Sequence, residues 1–342
     1  MALTIWFSER FAEHETPPGH PERAERAGVM ASVASKWRAS GGAVVAPREA
    51  TREQLARVHA ADHIERVAGT AGRAVALDPD TYTSADSYAV ALLAAGAAVD
   101  AVELVMGRVG HVALAMVRPP GHHAERGRAM GFCLFNNVAV AAAHARTKGA
   151  SRIAIVDYDV HHGNGTQQIF EADPNVLYIS LHQFPFYPGT GASGEVGRDE
   201  GTGFTVNLPL EAGAVDEDYH EVFSRVVVPV LHQFSPDLVL VSAGFDAHER
   251  DPLAGMRLTA KAFGAMTAEL KNIADERCDG RLVLVTEGGY DLTALEESLD
   301  AVVASVTEPP GPARWPQGSS THRGSACVER AARALAPFWA IG

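Results

Sequence analysis

Seven short runs rich in β-branched residues recur along this 342-residue chain, at 3–7, 111–117, 152–160, 176–182, 204–210, 237–243 and 281–286. Helix-like segments lie between many of them, at 85–106, 136–148, 166–171, 216–234, 259–274 and 292–306. Strands separated by a helical crossover pair in parallel, and a parallel sheet needs both faces covered. The alternation therefore predicts an α/β chain with an open parallel sheet and helices on both faces. No repeat, low-complexity tract or long linker divides the sequence, so residues 1–342 are expected to form a single domain. The Pro/Gly/Ser-rich stretch 308–320 reads as a surface loop leading to a last helix over 328–338.

In open parallel sheets, ligands gather beyond the carboxyl ends of the strands. The run ending at Val117 is followed by Arg118-Pro-Pro-Gly-His-His123, and the run from Arg152 delivers Asp157, Asp159 and His161. Leu181 is followed by His182, Ala243 by Gly-Phe-Asp246, and Thr286 by Glu-Gly-Gly-Tyr290. Five strands thus release histidines, aspartates and a tyrosine at one end. Scattered surface polar residues would not sort in this way, and the pattern points to one active site.

Asp159 and His161 alternate about Val160, so in extended backbone they point to the same side. With Asp246 they make an oxygen-and-nitrogen ligand set with positions left for water and substrate. Such a set suits catalytic Zn²⁺ or a similar borderline divalent ion. A lone aspartate at a strand end is more often a cap or turn residue; the joint pattern carries the argument. His122 and His123 follow a Pro-Pro-Gly turn, with Asp157 available to hydrogen-bond one and Asn164 the other. A carboxylate partner raises an imidazole's basicity, whereas an amide orients it without adding charge. One histidine should then serve as general base and acid, and the other as electrostatic support. Tyr290, after two glycines, is placed to donate to an oxyanion. Gly131-Phe132 and the loop carrying Phe186 and Tyr187 put aromatic rings where they would wall a slot for an aliphatic chain. His182 is placed among the substrate-contacting residues, with a core hydrogen-bonding role as the alternative. His14 and His20, with Glu13 and Glu15, read as an N-terminal surface loop, with a loop overhanging the pocket as the alternative, and His248-Glu-Arg-Asp251 reads as a solvated rim.

A formal net charge of −13 argues against nucleic-acid or anionic-membrane partners. The three cysteines, Cys133, Cys278 and Cys327, show no C-x-x-C spacing and fit a reducing, cytoplasmic setting. The first ten residues lack the basic region of a signal peptide. The apolar stretch 89–106 contains Asp100 and Glu103 and reads as a buried alanine-rich helix rather than a membrane span.

Taken together, five motifs resemble the histone deacetylase superfamily, including bacterial histone-deacetylase-like amidohydrolases and acetylpolyamine amidohydrolases. They are R-P-P-G-H-H at 118–123, G-F-C-L-F-N-N at 131–137, D-Y-D-V-H-H-G-N-G-T-Q at 157–167, S-A-G-F-D-A at 242–247 and E-G-G-Y at 287–290. Asn164 and the F-N-N ending resemble the class II branch. The resemblance implies an arginase-like fold with about eight strands, and Zn²⁺ held by Asp159, His161 and Asp246. It implies hydrolysis of an acylated amine in which His123 takes the water proton, His122 paired with Asp157 assists, Asn164 orients and Tyr290 polarises the carbonyl. Gly131, Phe132 and Tyr187 fall where the family walls its lysine tunnel, and Leu253 on the rim. Structural potassium is implied at Asp157, Asp159, His161, Ser180 and Leu181, with a second site near Phe170, Asp173, Val176 and Phe204. The substrate is then an acylated lysine or a polyamine, and a homo-oligomer, dimer or tetramer, is expected. Tyr290 stands where weakly active class IIa vertebrate members carry histidine, and Leu253 where the polyamine-selective eukaryotic branch carries glutamate. A binuclear manganese ureohydrolase and an inactive acyl-lysine reader are the more distant alternatives. His162 and Asn164 lie where the former would want carboxylates.

Overall fold

The computed structural model describes residues 2–309 and 311–341. Its strands are β1 (Ala2–Trp6), β2 (Ala43–Val45), β3 (Val75–Ala76), β4 (Tyr82–Thr83), β5 (His111–Ala115), β6 (Ile153–Asp157), β7 (Val176–Gln183), β8 (Thr205–Leu210), β9 (Leu238–Ala243) and β10 (Leu282–Thr286). β3 and β4 form a small antiparallel ribbon. The other eight make one sheet in the order β2-β1-β5-β10-β9-β6-β7-β8, parallel throughout. Every residue of β6, β9 and β10 is buried. Runs such as Leu-Val-Leu-Val are apolar on both faces because helices cover both sides of a parallel sheet.

The predicted helices appear at Ser87–Gly107, Asn137–Thr147, Asn164–Phe170, Ala260–Arg277, Leu292–Thr307 and Arg323–Leu335. The predicted 216–234 helix is continuous but changes pitch, running as Asp216–Val222, a π-helical turn at Phe223–Val227, and Val228–Phe234. Pro229 explains the wide turn: it has no N–H, and its ring crowds the carbonyl four residues back. β2 and the helices Glu25–Ala39, Arg52–Ala56 and Ala61–Ala68 lie in stretches where the sequence pattern marked no element. The strand expected over 152–160 stops at Asp157, and residues 158–160 already belong to the turn that carries the polar cluster. Pro310, in the loop expected over 308–320, lies outside the described residues.

Ser87–Gly107 is long and apolar enough to cross a membrane, yet 67% of its apolar window is buried inside the fold. It packs against β5 and Asn137–Thr147. Its Asp100 accepts hydrogen bonds from the backbone N–H (3.0 Å) and Nε (2.8 Å) of Arg48. Both features are those of a core helix.

The five strands β5, β10, β9, β6 and β7 are consecutive in the sheet. Their carboxyl ends therefore form one ledge, with Asp157 opposite both Ser242 and Ser180, and Thr286 opposite Ala243. Leu240 lies at the middle of β9, fully buried. Leu240→Ala should lower the unfolding free energy by about 2–5 kcal/mol through lost burial and a residual cavity. Urea denaturation measures it, and a loss below roughly 1 kcal/mol would contradict close packing there.

Candidate active site

β6 and β9 pair side by side, so the turn after Asp157 and the turn after Ala243 meet. His161 Nδ1 lies 3.2 Å from Asp159 Oδ1 and 3.1 Å from Asp246 Oδ2. Among the described residues, Asp159, His161 and Asp246 are the group whose ligand atoms all fall within 4.8 Å of one another. The carboxylates are fixed from behind. Asp246 Oδ1 accepts from Val160 N–H (2.9 Å), Asp159 Oδ1 from His161 N–H (2.9 Å), and Asp159 Oδ2 from Gly288 N–H (2.8 Å). Gly288 is required there, since a Cβ would overlap both carboxylates.

Two buried carboxylates around one imidazole demand positive charge. Burial opposes an imidazolium at His161, but hydrogen bonds and attraction from Asp159 and Asp246 prevail and raise its pKa to about 10. Burial and the Asp159 charge push Asp246 up, whereas Asp159 is held ionised below its usual range against burial, by His122 and His161. The demand is one that a divalent cation meets, and the donors are the oxygen-and-nitrogen set of a catalytic zinc site. The residues fit the metal.

His122 and His123 lie beside this cluster, ring centroids 4.0 Å apart and planes tilted by 47°. His122 Nδ1 bonds Asp157 Oδ2 at 3.0 Å, and that oxygen also accepts from the Tyr178 hydroxyl (3.0 Å). His123 Nδ1 bonds Asn164 Oδ1 at 2.8 Å. The Asn164 amide is oriented by its NH₂ donating to Glu125 Oε1 (2.9 Å), so its oxygen faces His123 and the imidazole proton sits on Nδ1. Burial works against charge on His122, yet Asp157 and Asp159 raise its pKa to about 10. Burial, then the charges of His122 and His161, push His123 well below the ordinary imidazole value. One ring is held charged, and its neighbour neutral with Nε2 unprotonated. Asp157 offers its ring a carboxylate and Asn164 offers its ring an amide, and the two partners differ in charge.

Below the pair, Glu287 Oε2 accepts from the N–H groups of Gly121 (2.6 Å) and His122 (3.1 Å). Tyr290 is 6% exposed, and burial keeps its hydroxyl protonated, well above the usual phenol range. Arg26 lies 5.1 Å from the centre of the Tyr290 ring and donates Nε to the Gly289 carbonyl (2.8 Å). Arg26 and Arg118 converge on Glu22, with Arg26 Nη1 to Oε1 at 2.8 Å and Arg118 Nη2 to Oε2 at 2.6 Å, all three side chains fully buried. His14 completes this cluster, 3.5 Å from Glu22, and is itself buried. The surface-loop reading of His14 is thereby corrected, because the loop folds inward around a charged core. His248 and Asp251 are likewise buried rather than a solvated rim. Asp251 accepts from the N–H groups of Tyr290 and Leu253.

A cavity of about 80 Å³ reaches this floor, lined by Asp80, Pro120, His122, His123, Gly131, Phe132, His161, Tyr187, Leu253 and Tyr290. Gly131 (φ 56°) lies so close under the His123 ring that a Cβ would stand 2.7 Å from its Cγ. Phe132 (φ 69°) and Tyr290 meet in a T-shaped pair, centroids 5.9 Å apart, and Tyr187 and His123 meet likewise at 5.2 Å. Leu253 and Tyr290 also line a wider groove of about 560 Å³ beside residues 15–25. His182 does not line the cavity. Its Nδ1 bonds Ser180 Oγ (2.9 Å) and its Nε2 the Gly191 carbonyl (2.8 Å), so both ring nitrogens are occupied inside the fold. Ser180 and Leu181 sit on β7 alongside Asp157, whereas Phe170, Asp173, Val176 and Phe204 gather at the opposite, amino ends of β7 and β8. Asp80, Pro120, Glu287, Asp251 and the Glu22 cluster were missed by sequence reasoning; Pro120 and Glu287 lay inside quoted motifs.

Burial raises the cost of ionising Glu22, but Arg118 and Arg26 bring its pKa down from 4.5 to about 2. A depressed carboxylate contributes stability above its unfolded pKa and loses it as pH falls through the folded value. Glu22→Gln should therefore cost about 3–5 kcal/mol at neutral pH by leaving buried guanidinium charge uncompensated. The gap from wild type should narrow between pH 4.5 and about 2 in pH-dependent urea denaturation. Separately, zinc added to chelator-stripped protein should raise the thermal midpoint, by about 4 kcal/mol of stabilisation at roughly 1,000-fold excess over Kd. Asp246→Asn should erase most of that increment; an identical zinc response would rule out Asp246 as a ligand.

A histone deacetylase domain profile matches residues 20–306. Histone deacetylase 15 of Arabidopsis thaliana is 43% identical over 314 residues, covering 88% of this chain. The chain spans only 56% of that relative's length. A probable deacetylase of Archaeoglobus fulgidus is 40% identical over 298 residues, covering 85% of this chain and 82% of the relative. The crystal structure of the HDA15 HD domain superposes with a TM-score of 0.91 at 38% identity, covering 99% of this chain and 95% of that one. The chain belongs to the histone deacetylase family.

Proposed function

We propose that this protein is a zinc-dependent amidohydrolase that removes an acetyl or related short acyl group from the ε-amine of lysine or a comparable acylated amine. The reading is carried by the buried Asp159–His161–Asp246 cluster at the floor of a narrow cavity, flanked by a neutral His123 and a protonated Tyr290. The relatives, a histone deacetylase and a probable deacetylase by name, support it.

A divalent ion on Asp159, His161 and Asp246 would supply Lewis acidity toward an amide carbonyl and toward water. The remaining work falls to side chains. His123 Nε2 accepts a proton from the attacking water and returns it to the leaving amine. Asn164 fixes the ring that does so. His122, charged and paired with Asp157, keeps His123 from holding that proton in the resting state and adds positive field where negative charge develops. The Tyr290 hydroxyl donates to the developing oxyanion. Phe132 and Tyr187 flank the methylene chain, and Gly131 leaves room for the His123 ring.

Leu253 at the cavity wall offers no charge to a distal ammonium, which favours acyl-lysine as substrate. Asp80 on the same cavity is a carboxylate within reach of a cation, and it keeps acetylpolyamine as the second reading. We extend the proposal to structural potassium at Asp157, Asp159, His161, Ser180 and Leu181, and at Phe170, Asp173, Val176 and Phe204. Residues 1–342 acting as one catalytic domain, a homo-oligomer, and a cytoplasmic location in keeping with three free cysteines complete the reading.

The test is turnover of an acetyl-lysine peptide, acetylputrescine and acetylspermidine by zinc-loaded protein. Chelation should abolish activity and zinc restore it. Tyr290→Phe should lower kcat by about 10²–10³, the usual effect of removing one oxyanion donor. Absence of turnover on all three substrates, or a Tyr290→Phe variant as fast as wild type, would sink the proposal.

A further inference from the structure

Tyr290 follows two glycines, so its position depends on what grips the backbone around it. Gly288 N–H donates to Asp159 Oδ2 (2.8 Å), the Gly288 carbonyl accepts from Phe245 N–H (3.0 Å), and the Gly289 carbonyl accepts from Arg26 Nε (2.8 Å). The N–H of Tyr290 itself donates to Asp251 Oδ2 at 2.8 Å. The second oxygen of the same carboxylate, Oδ1, accepts from Leu253 N–H at 2.9 Å. Leu253 and Tyr290 both line the catalytic cavity, and Asp251, 7% exposed, lies behind them.

We propose that Asp251 is a positioning residue for the reaction, one carboxylate clamped between two backbone N–H groups that sets the Tyr290 hydroxyl and the Leu253 wall in a single register. The inference rests on Tyr290 acting as the carbonyl-polarising donor. Two N–H donors on two different oxygens need a carboxylate. An amide in its place offers one acceptor and turns an NH₂ group against the other N–H. Holding a buried charge here is costly, since burial and the neighbouring Asp246 carboxylate push the Asp251 pKa to about 7. A neutral residue would avoid that cost, and the double clamp is what the carboxylate supplies in exchange. Asp251 touches no substrate position; it acts through Tyr290 and Leu253.

The test is a double-mutant cycle of kcat and KM on an acetyl-lysine peptide, using wild type, Asp251→Asn, Tyr290→Phe and the pair. Displacing a catalytic group by about 1 Å can cost on the order of 10²-fold, so Asp251→Asn should lower kcat by roughly ten- to a hundredfold with a thermal midpoint near wild type. In the Tyr290→Phe background the same change should alter kcat by no more than about twofold, because the group it positions is gone. The Leu253 clamp adds a rise in KM that persists in both backgrounds. Equal fold-losses of kcat with and without the Tyr290 hydroxyl, or an unchanged kcat in Asp251→Asn, overturn the proposal. Should Asp251→Asn not fold, Asp251→Ala removes the acceptors without presenting an opposing donor and carries the same cycle. Failure of the deacetylase reading is separate and visible first, as absence of wild-type turnover.

Discussion

Negative charge gathered in a dry place is the constraint on which this structure turns. Asp157, Asp159, Asp246 and Glu287 all lie buried at the carboxyl end of five adjacent strands. A carboxylate there survives only with donors or cations around it. The surrounding architecture supplies them: backbone N–H groups from Val160, Gly121 and Gly288, the imidazoles of His122 and His161, and a metal ion in the reading proposed above. Burial keeps His123 neutral, and the negative field that makes His122 basic adds to this by setting a positive neighbour against it. In the reading proposed above, the acid and base roles follow from where four carboxylates are buried.

The buried Asp/His cluster was legible in the sequence because its signals are short in range. Asp159 and His161 are two residues apart, and a strand end brings Asp246 to them through ordinary parallel pairing. The partners Asp157 and Asn164 lie in the same motif as Asp159 and His161. The supporting charges were not legible in this way. Arg118 meets Glu22 across 96 residues of sequence, and Arg26 meets Gly289 across 263. Before folding is known, an arginine and a glutamate in a loop look like solvated surface. Asp251 was misread for the same reason.

A comparable limit applied to the fold. The central strands announce themselves as unbroken apolar runs because both faces are covered. β2 is three residues long and half-exposed at an edge, too short to stand out. The Glu25–Ala39 helix buries Ala27, Met30, Val33 and Ala34 along one face, a helical spacing diluted by small and polar residues between them. Asp216–Phe234 shows the reverse case, where apolar spacing gave the helix but could not give the change of pitch that Pro229 brings.

The two outer margins of the sheet are unlike the rest of it. β2 exposes a margin of only three residues, and β8 carries Pro209, whose carbonyl takes a hydrogen bond from Arg330 of the last helix (3.0 Å). The β2 margin is too short for a long ladder, and β8 is interrupted by Pro209 and packed against the last helix. Among the described residues, both sheet margins are thus built against edge-to-edge pairing, and a second copy joining its sheet to this one would have to displace the last helix or settle for a three-residue strand.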